Sequence, residues 1–435
     1  MSAKLFGIFA GIALLTVSAS ATDLKITSVT VCDSTGNATT PHLGDDTYSL
    51  RVDWQVTGKP LGTYNVRFEM ANNVYNWNVN TPVNSGTYTG KVSFFMPLDG
   101  AIPYRVTLDP EDVAGDGNRS NNIISGTFTP TLPTQATEYF NAKRWTGSER
   151  YVITAPQKVT KLMGVLGKPT SETSQRVLGF SSTGTESLSQ PFGQPMTSKV
   201  WTNPAAGVYS LDTHFNVELS AVRYNLGRAT TAWSGFSNLP TNVAAYLKPE
   251  DAIQSNHPAV TALVRRWLNS NYRSNTKPSD AARTLFQGVV HELRFVDTIG
   301  ASAVDVLNAK QGNCAGMSAV FVAAARNIGI PARLVSGWWN GTNSWHCWSE
   351  IYLPGMGWVA QDVSGSDSID PTGTYAYYFS TIPDLNRKCI VQRGATYNTA
   401  QANFNSVQVG NYAAWGSFST WPTTTATCTL TPVSP

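Results

Sequence analysis

The sequence predicts a multidomain chain with a β-sandwich first, a strand-rich middle region, an α+β core and a β-rich C-terminal segment. Three observations carry that reading. Short runs of alternating apolar and polar residues recur from residue 22 onward and return after residue 370. Apolar residues at helical spacing appear only from about Pro249. Charged residues make up just 14% of the chain, with Gly 35 and Pro 24, a composition of strands joined by turns and not of long solvated helices. With 435 residues, 41% of them hydrophobic, the chain is long enough for two or three cored domains.

Residues 1–21, MSAKLFGIFAGIALLTVSASA, read as a secretory signal. Lys4 precedes an apolar stretch, and Ala19-Ser20-Ala21 supplies a small-x-small cleavage pattern. The stretch falls short of the roughly 20 apolar residues a bilayer demands. The expectation is an exported protein, periplasmic or extracellular, that is not integral to a membrane.

Residues 22–132 follow as a β-sandwich. DLKITSVTVCD, TYSLRVDWQV, YNVRFEMAN, KVSFFMPL and YRVTLDP alternate and are separated by Gly, Asn, Asp and Pro. The closing stretch DPEDVAGDGNRSNNIISGTFT resembles the last two strands of CARDB-like and related immunoglobulin-like modules of exported bacterial proteins. Asp109, Asp112 and Asp116 lack the spacing of an EF-hand and read as a polar hairpin loop. PTLPTQ is a linker, and residues 135–240 are again strand-rich, as in RYVITAP and GVYSLDTHFNVELSAVRYNL. The core is assigned to residues 241–370. HPAVTALVRRWLNSNY and PSDAARTLFQGVVHELRF are its first helices, the second with Pro278 at an early helical position. Residues 371–435 form the β-rich C-terminal extension.

Charge excludes some partners. The chain carries 31 basic and 28 acidic residues, net +3. No basic run of five occurs, so neither nucleic acid nor an anionic membrane surface is indicated. Five cysteines, Cys32, Cys314, Cys347, Cys389 and Cys428, leave at least one thiol unpaired in an oxidising compartment. Four of them permit three pairings among which sequence does not choose, with Cys389 and Cys428, both in the C-terminal segment, as the first candidate. No metal or other cofactor is needed: histidines and cysteines show no zinc-type spacing, and calcium is left open.

The informative segment runs from Ala303 to Asp362. Gly312-Asn313 delivers the chain into a helix, with Asn313 as N-cap, and Gly329 and Pro331 stop it. Cys314 therefore occupies the first turn, where free N–H groups and the helix dipole stabilise a thiolate and where its own N–H is placed for an oxyanion. In NSWHCWSEIYLPGMGWVAQDV, alternation puts His346, Trp348, Glu350 and Tyr352 on one strand face, with Cys347 on the other in a structural role. Pro354 to Gly357 turns the chain. If Leu353 pairs close to Gly357, His346 and Asp362 share a face, and a slip by one residue separates them. The pattern is that of a nucleophile, a base and a carboxylate that orients the base. Trp345, Trp348 and Trp358 are expected to wall the cleft.

This segment resembles the transglutaminase-like superfamily, whose core is papain-like. The cysteine box matches Gly312-Asn313-Cys314 and Arg326 to Arg333 (R-x-x-G-I-P-A-R). The histidine box matches His346, Trp348, Glu350, Ile351 and Tyr352, and the aspartate box Gly357, Trp358 and Asp362. Val363 stands where the family usually has proline, and Asn313 where it usually has an acid. The resemblance implies Cys314, His346 and Asp362 as catalytic residues acting on a protein or peptide. It implies γ-glutamyl transfer (crosslinking) or deamidation, with peptidase activity through the same triad as an alternative. The other alternative is a non-catalytic surface protein binding an extracellular ligand through its β-modules. For the second oxyanion donor, Trp267 and Gln287 are the candidates.

Overall fold

A computed structural model describes residues 22–44, 48–60, 62–79, 86–94, 98–229, 232–297, 302–404 and 410–433. The secretory signal assigned to residues 1–21 lies outside the described residues. These residues form two compact units. No helix among them is long and apolar enough to cross a membrane.

Among the described residues, the first unit holds 22–39, 49–60, 62–79, 86–93 and 103–127. Its strands are β1 Asp23–Cys32, β2 Tyr48–Thr57, β3 Tyr64–Met70, β4 Asn73–Val79, β5 Gly86–Phe94, β6 Ile102–Leu108 and β7 Ile123–Phe128. They form one sheet of order β1-β2-β5 and a second of order β4-β3-β6-β7. Period-2 alternation buries Leu50, Val52, Trp54 and Val56 from β2 and Tyr64, Val66 and Phe68 from β3. β4, reading NVYNWNV, has no fully buried residue and so gave no alternation signal. The aspartate loop is held by its own hydrogen bonds: Asp109 accepts from Val113 and Ala114 N–H, and Asp116 from Leu24 and Asn118 N–H.

The second unit holds Thr40–Tyr48, Phe94–Ile102 and Phe128–Pro435. Two long strands, β8 Thr137–Ala155 and β13 Gly207–Tyr224, pair along almost their whole length. Between them in sequence come β9 Lys161–Gly167, β10 Gln175–Ser182, β11 Thr185–Leu188 and β12 Pro195–Thr202. The helical part contains α1 Pro258–Trp267, α2 Pro278–Glu292, α3 Ala303–Ala309, α4 Cys314–Asn327 and α5 Val363–Ile369. Against it lie β14 Ala332–Trp339, β15 Trp345–Leu353, β16 Gly357–Gln361 and β17 Lys388–Arg393, in the sheet order β16-β15-β14-β17. β18 Gly410–Trp415 and β19 Thr423–Pro432 complete the unit. β18 adds to β9, and β19 pairs with β8, so strands from the C-terminal segment share sheets with the middle region.

α4 is apolar almost all round and buries every residue from Ala315 to Arg326, as a central helix must. It packs in one cluster with Leu285, Phe286 and Val289 of α2 and Trp348, Ile351 and Leu353 of β15. All five cysteines are free thiols. Cys389 and Cys428 do share a second cluster, with Trp145 and Phe215, but no bond joins them.

Glu149 is buried beside that cluster and accepts hydrogen bonds from the indole of Trp338 (2.7 Å) and the hydroxyl of Thr213 (3.0 Å). Burial pushes its carboxyl up to about 7, only partly offset by those two donors. A raised acid stabilises the fold fully below its unfolded pKa, and that contribution is lost as pH climbs through about 7. The full loss is about 3 kcal/mol. Glu149→Gln should therefore flatten the decline in unfolding free energy between pH 5 and pH 8 in urea titrations. A variant that keeps the wild-type slope would refute this account of the buried acid.

Candidate functional site

The site is assembled from a helix start, a hairpin and a more distant strand. Asn313 caps α4, its side-chain oxygen accepting from the Gly316 N–H at 2.9 Å. Gly329, at φ +88°, closes the other end, where only a residue free of a Cβ turns left-handed without strain. Cys314 is the first residue of α4 and is half-buried.

The hairpin adopts the register on which the site depends. Leu353 pairs with Gly357 and Ser349 with Gln361. Asp362 thus follows β16 directly and becomes the N-cap of α5. Its Oδ1 accepts from the Gly365 N–H (2.9 Å) and the Ser364 hydroxyl (3.1 Å). Its Oδ2 accepts from His346 Nε2 at 2.7 Å, which leaves Nδ1 for the sulfur side. Cys314 and His346 hydrogen-bond through their side chains. The structure thus brings Cys314, His346 and Asp362 into one hydrogen-bonded chain.

Electrostatics follow from these contacts. The Cys347 thiol hydrogen-bonds to the Cys314 sulfur, and with the Cys347 N–H and the His346 charge it outweighs burial, bringing the Cys314 thiol down to about 5. Cys347 itself is pushed far up by that bond and by burial. Burial works against the His346 imidazolium, but the Asp362 charge more than compensates and sets it at about 9. Burial likewise opposes the Asp362 carboxylate, which His346 and Lys388 nevertheless hold far below the usual carboxylate range. Between about 5 and about 9 the pair is a thiolate and an imidazolium, a nucleophile beside a proton donor.

Several expected neighbours lie elsewhere. Trp348 is fully buried and stacks on His346 at 6.1 Å, so it supports the ring from below and does not wall a cleft. Trp345 stays beside the site: half-buried, it packs edge-on to Trp338 and hydrogen-bonds to Cys347, the residue whose thiol meets the Cys314 sulfur. Trp358 pairs with Tyr352 near the far end of β15 and covers the Arg333 guanidinium at 3.9 Å. The exposed aromatic beside His346 is Trp339, 5.6 Å away and 38% exposed. The oxyanion candidates are engaged otherwise: Trp267 Nε1 donates to Glu292 and Gln287 Nε2 to the Thr374 carbonyl. Cys347, assigned a structural role on the opposite face, touches the nucleophile.

Two residues escaped the sequence reading. Cys347 was set aside by alternation, although its thiol reaches Cys314. Lys388 lies 26 residues beyond Asp362 in a stretch with no motif, and its Nζ is 3.1 Å from Asp362 Oδ2. Sequence carries no signal for that contact, which depends on β17 joining β14.

A cysteine opening a helix against a histidine on an adjacent hairpin is an arrangement able to support thiol chemistry. Residues 265–363 match the family described as the transglutaminase-like superfamily. No curated protein matches the chain. Among solved structures, a candidate cysteine protease from Cytophaga hutchinsonii is 14% identical, with TM-score 0.50, covering 69% of this chain and 93% of its own. The periplasmic domain of TgpA from Pseudomonas aeruginosa is 16% identical, covering 55% of this chain and 97% of its own, with TM-score 0.26. A CARDB domain from Pyrococcus furiosus is 17% identical, covering 26% of this chain and 96% of its own, with TM-score 0.22.

Proposed function

We propose that the protein is an exported cysteine-dependent acyl-transfer enzyme that cuts or transfers amide bonds, with Cys314, His346 and Asp362 as its catalytic residues. The observation that carries this reading is the continuous hydrogen-bonded chain from the Cys314 sulfur through His346 to Asp362, with the thiol already poised as thiolate.

In the proposed route the thiolate attacks an amide carbonyl, and the N–H of Cys314 at the start of α4 faces the developing oxyanion. His346 passes its proton to the departing nitrogen, leaving a thioester on Cys314. A second nucleophile, deprotonated by His346, then releases the acyl group. A lysine amine yields a crosslink, and water yields deamidation of a glutamine side chain or hydrolysis of a peptide bond. γ-Glutamyl transfer is the primary reading. The peptidase reading has one observation in its favour: the Cytophaga hutchinsonii protein with the same fold is described as a candidate cysteine protease.

The deciding experiment is mass spectrometry of casein incubated with the protein and a primary amine. Amine incorporation or isopeptide links identify transfer, glutamine-to-glutamate conversion identifies deamidation, and new termini identify proteolysis. Each product should vanish after iodoacetamide treatment. Casein left unchanged by a protein whose Cys314 is also unreactive below neutral pH would overturn the enzymatic reading in favour of a binding role.

A further inference from the structure

Lys388 opens β17, opposite Trp339 of β14. Its side chain is only 3% exposed, yet it carries a full charge into the interior. The ammonium lies 3.1 Å from Asp362 Oδ2 and 3.2 Å from Asp384 Oδ1, with the rings of Trp339 and Trp348 at 5.1 and 5.7 Å. An enclosed ammonium costs several kcal/mol in desolvation and persists only with good partners. Nothing in the route above uses it.

The oxygen it contacts is the one that accepts from His346. One carboxylate oxygen therefore serves two cations. This matters because a general acid works best when its pKa lies near the operating pH. A carboxylate alone against an enclosed imidazole over-stabilises the imidazolium, which then surrenders its proton reluctantly. We propose that Lys388 is a positioning residue that shares the charge of Asp362 with His346, loosening the carboxylate's hold on the imidazolium so that its proton can pass to the leaving nitrogen. This inference rests on the acyl-transfer reading above.

The charged and titratable groups around the imidazole are consistent with that role. Asp362 stabilises the imidazolium, Lys388 opposes it, and the Cys314 sulfur bonds to it. Behind them stand Asp384, which holds the far side of the ammonium, the Cys347 thiol against Cys314, and the Tyr378 phenol, which feels Asp384 and Asp362. Asp384 is the more exposed carboxylate, at 29%, and anchors Lys388 from the rim.

The test follows the His346 ring by NMR in the full-length protein, with its signal assigned by loss in His346→Gln. Lys388→Met keeps length and removes charge, so the His346 titration should move up by about one pH unit. Lys388→Arg should hold the wild-type value. Asp384→Asn leaves the site one charge more positive and should move the titration down. On a turned-over substrate, Lys388→Met should lower kcat several-fold with KM unchanged. A folded Lys388→Met with an unshifted His346 overturns the proposal, and if that variant does not fold, an unshifted His346 in Asp384→Asn overturns it instead. The acyl-transfer reading fails separately, if wild-type Cys314 resists iodoacetamide and no substrate turns over while the NMR shifts still appear.

Discussion

Cys314→Ala should abolish turnover while leaving the fold intact. The sulfur sits at the first turn of α4, where its lowered pKa comes from the Cys347 thiol and His346 and where helix N–H groups add to the pull on negative charge. Alanine fits the helix and removes only the nucleophile. Loss of a nucleophile from a coupled triad costs about six orders of magnitude in kcat. The same sulfur predicts the pH profile of wild-type labelling. Iodoacetamide should alkylate it half-maximally near pH 5 and at a level rate up to about pH 9, where the imidazolium gives up its proton. Casein turnover by the variant measures the first, and stopped alkylation of wild type across pH measures the second. Turnover by Cys314→Ala at even a hundredth of the wild-type rate would move the chemistry to another group.

Arg333→Ala should produce the largest loss of stability of any single substitution considered. Arg333 is buried in β14, with its Nε 2.7 Å from Glu350 and its terminal nitrogen 2.6 Å from Glu172. Trp358 covers the guanidinium plane. Removing the cation strands Glu350 in the interior, where Arg393 approaches it only to 3.9 Å. Breaking one side of a buried pair costs about 3–5 kcal/mol. In a unit of this size that is a fall in melting temperature of roughly 6–10 °C. Arg333→Leu combined with Glu350→Leu removes both charges and should recover most of the loss. Calorimetry decides it: a single variant melting within a degree or two of wild type would show that the pair adds little.

This pair also explains part of the sequence motif. The arginine that ends R-x-x-G-I-P-A-R and the glutamate of the histidine box belong to separate boxes in the sequence. In the fold they meet at register positions Arg333 and Glu350 of β14 and β15, away from the sulfur, and tie the two boxes together. They brace β14 against β15, the strand that carries His346.

Much of the site was legible because its parts are local. A Gly-Asn turn before an apolar helix places Cys314 at a helix start whatever surrounds it. A short turn between two alternating runs leaves few registers, and the Leu353–Gly357 pairing, with three residues between, puts Asp362 beside His346. The α1 and α2 helices and the main sandwich strands were legible for the same reason, period and punctuation. β4 was not, because a strand without a fully buried residue leaves no apolar rhythm.

Trp348 and Trp358 differ from expectation for another reason. Alternation states which face a side chain occupies, not what covers that face or how far along the strand it lies. Trp358 shares a hairpin with His346 yet sits near its opposite end, while Trp339, on the preceding strand, lies against the imidazole.

Sequence alone therefore determined the place of Cys314 in its helix, the hairpin that carries His346 and Asp362, and the strand-and-helix order along the chain, all set by neighbours within a few residues. Tertiary structure decided what encloses them: Lys388 on Asp362, Cys347 on Cys314, and β19 on β8 across more than two hundred and fifty residues. The division is physical. Backbone periodicity and capping are read within a few residues along the chain, whereas the pairing of one sheet edge with another depends on burial summed over the whole unit.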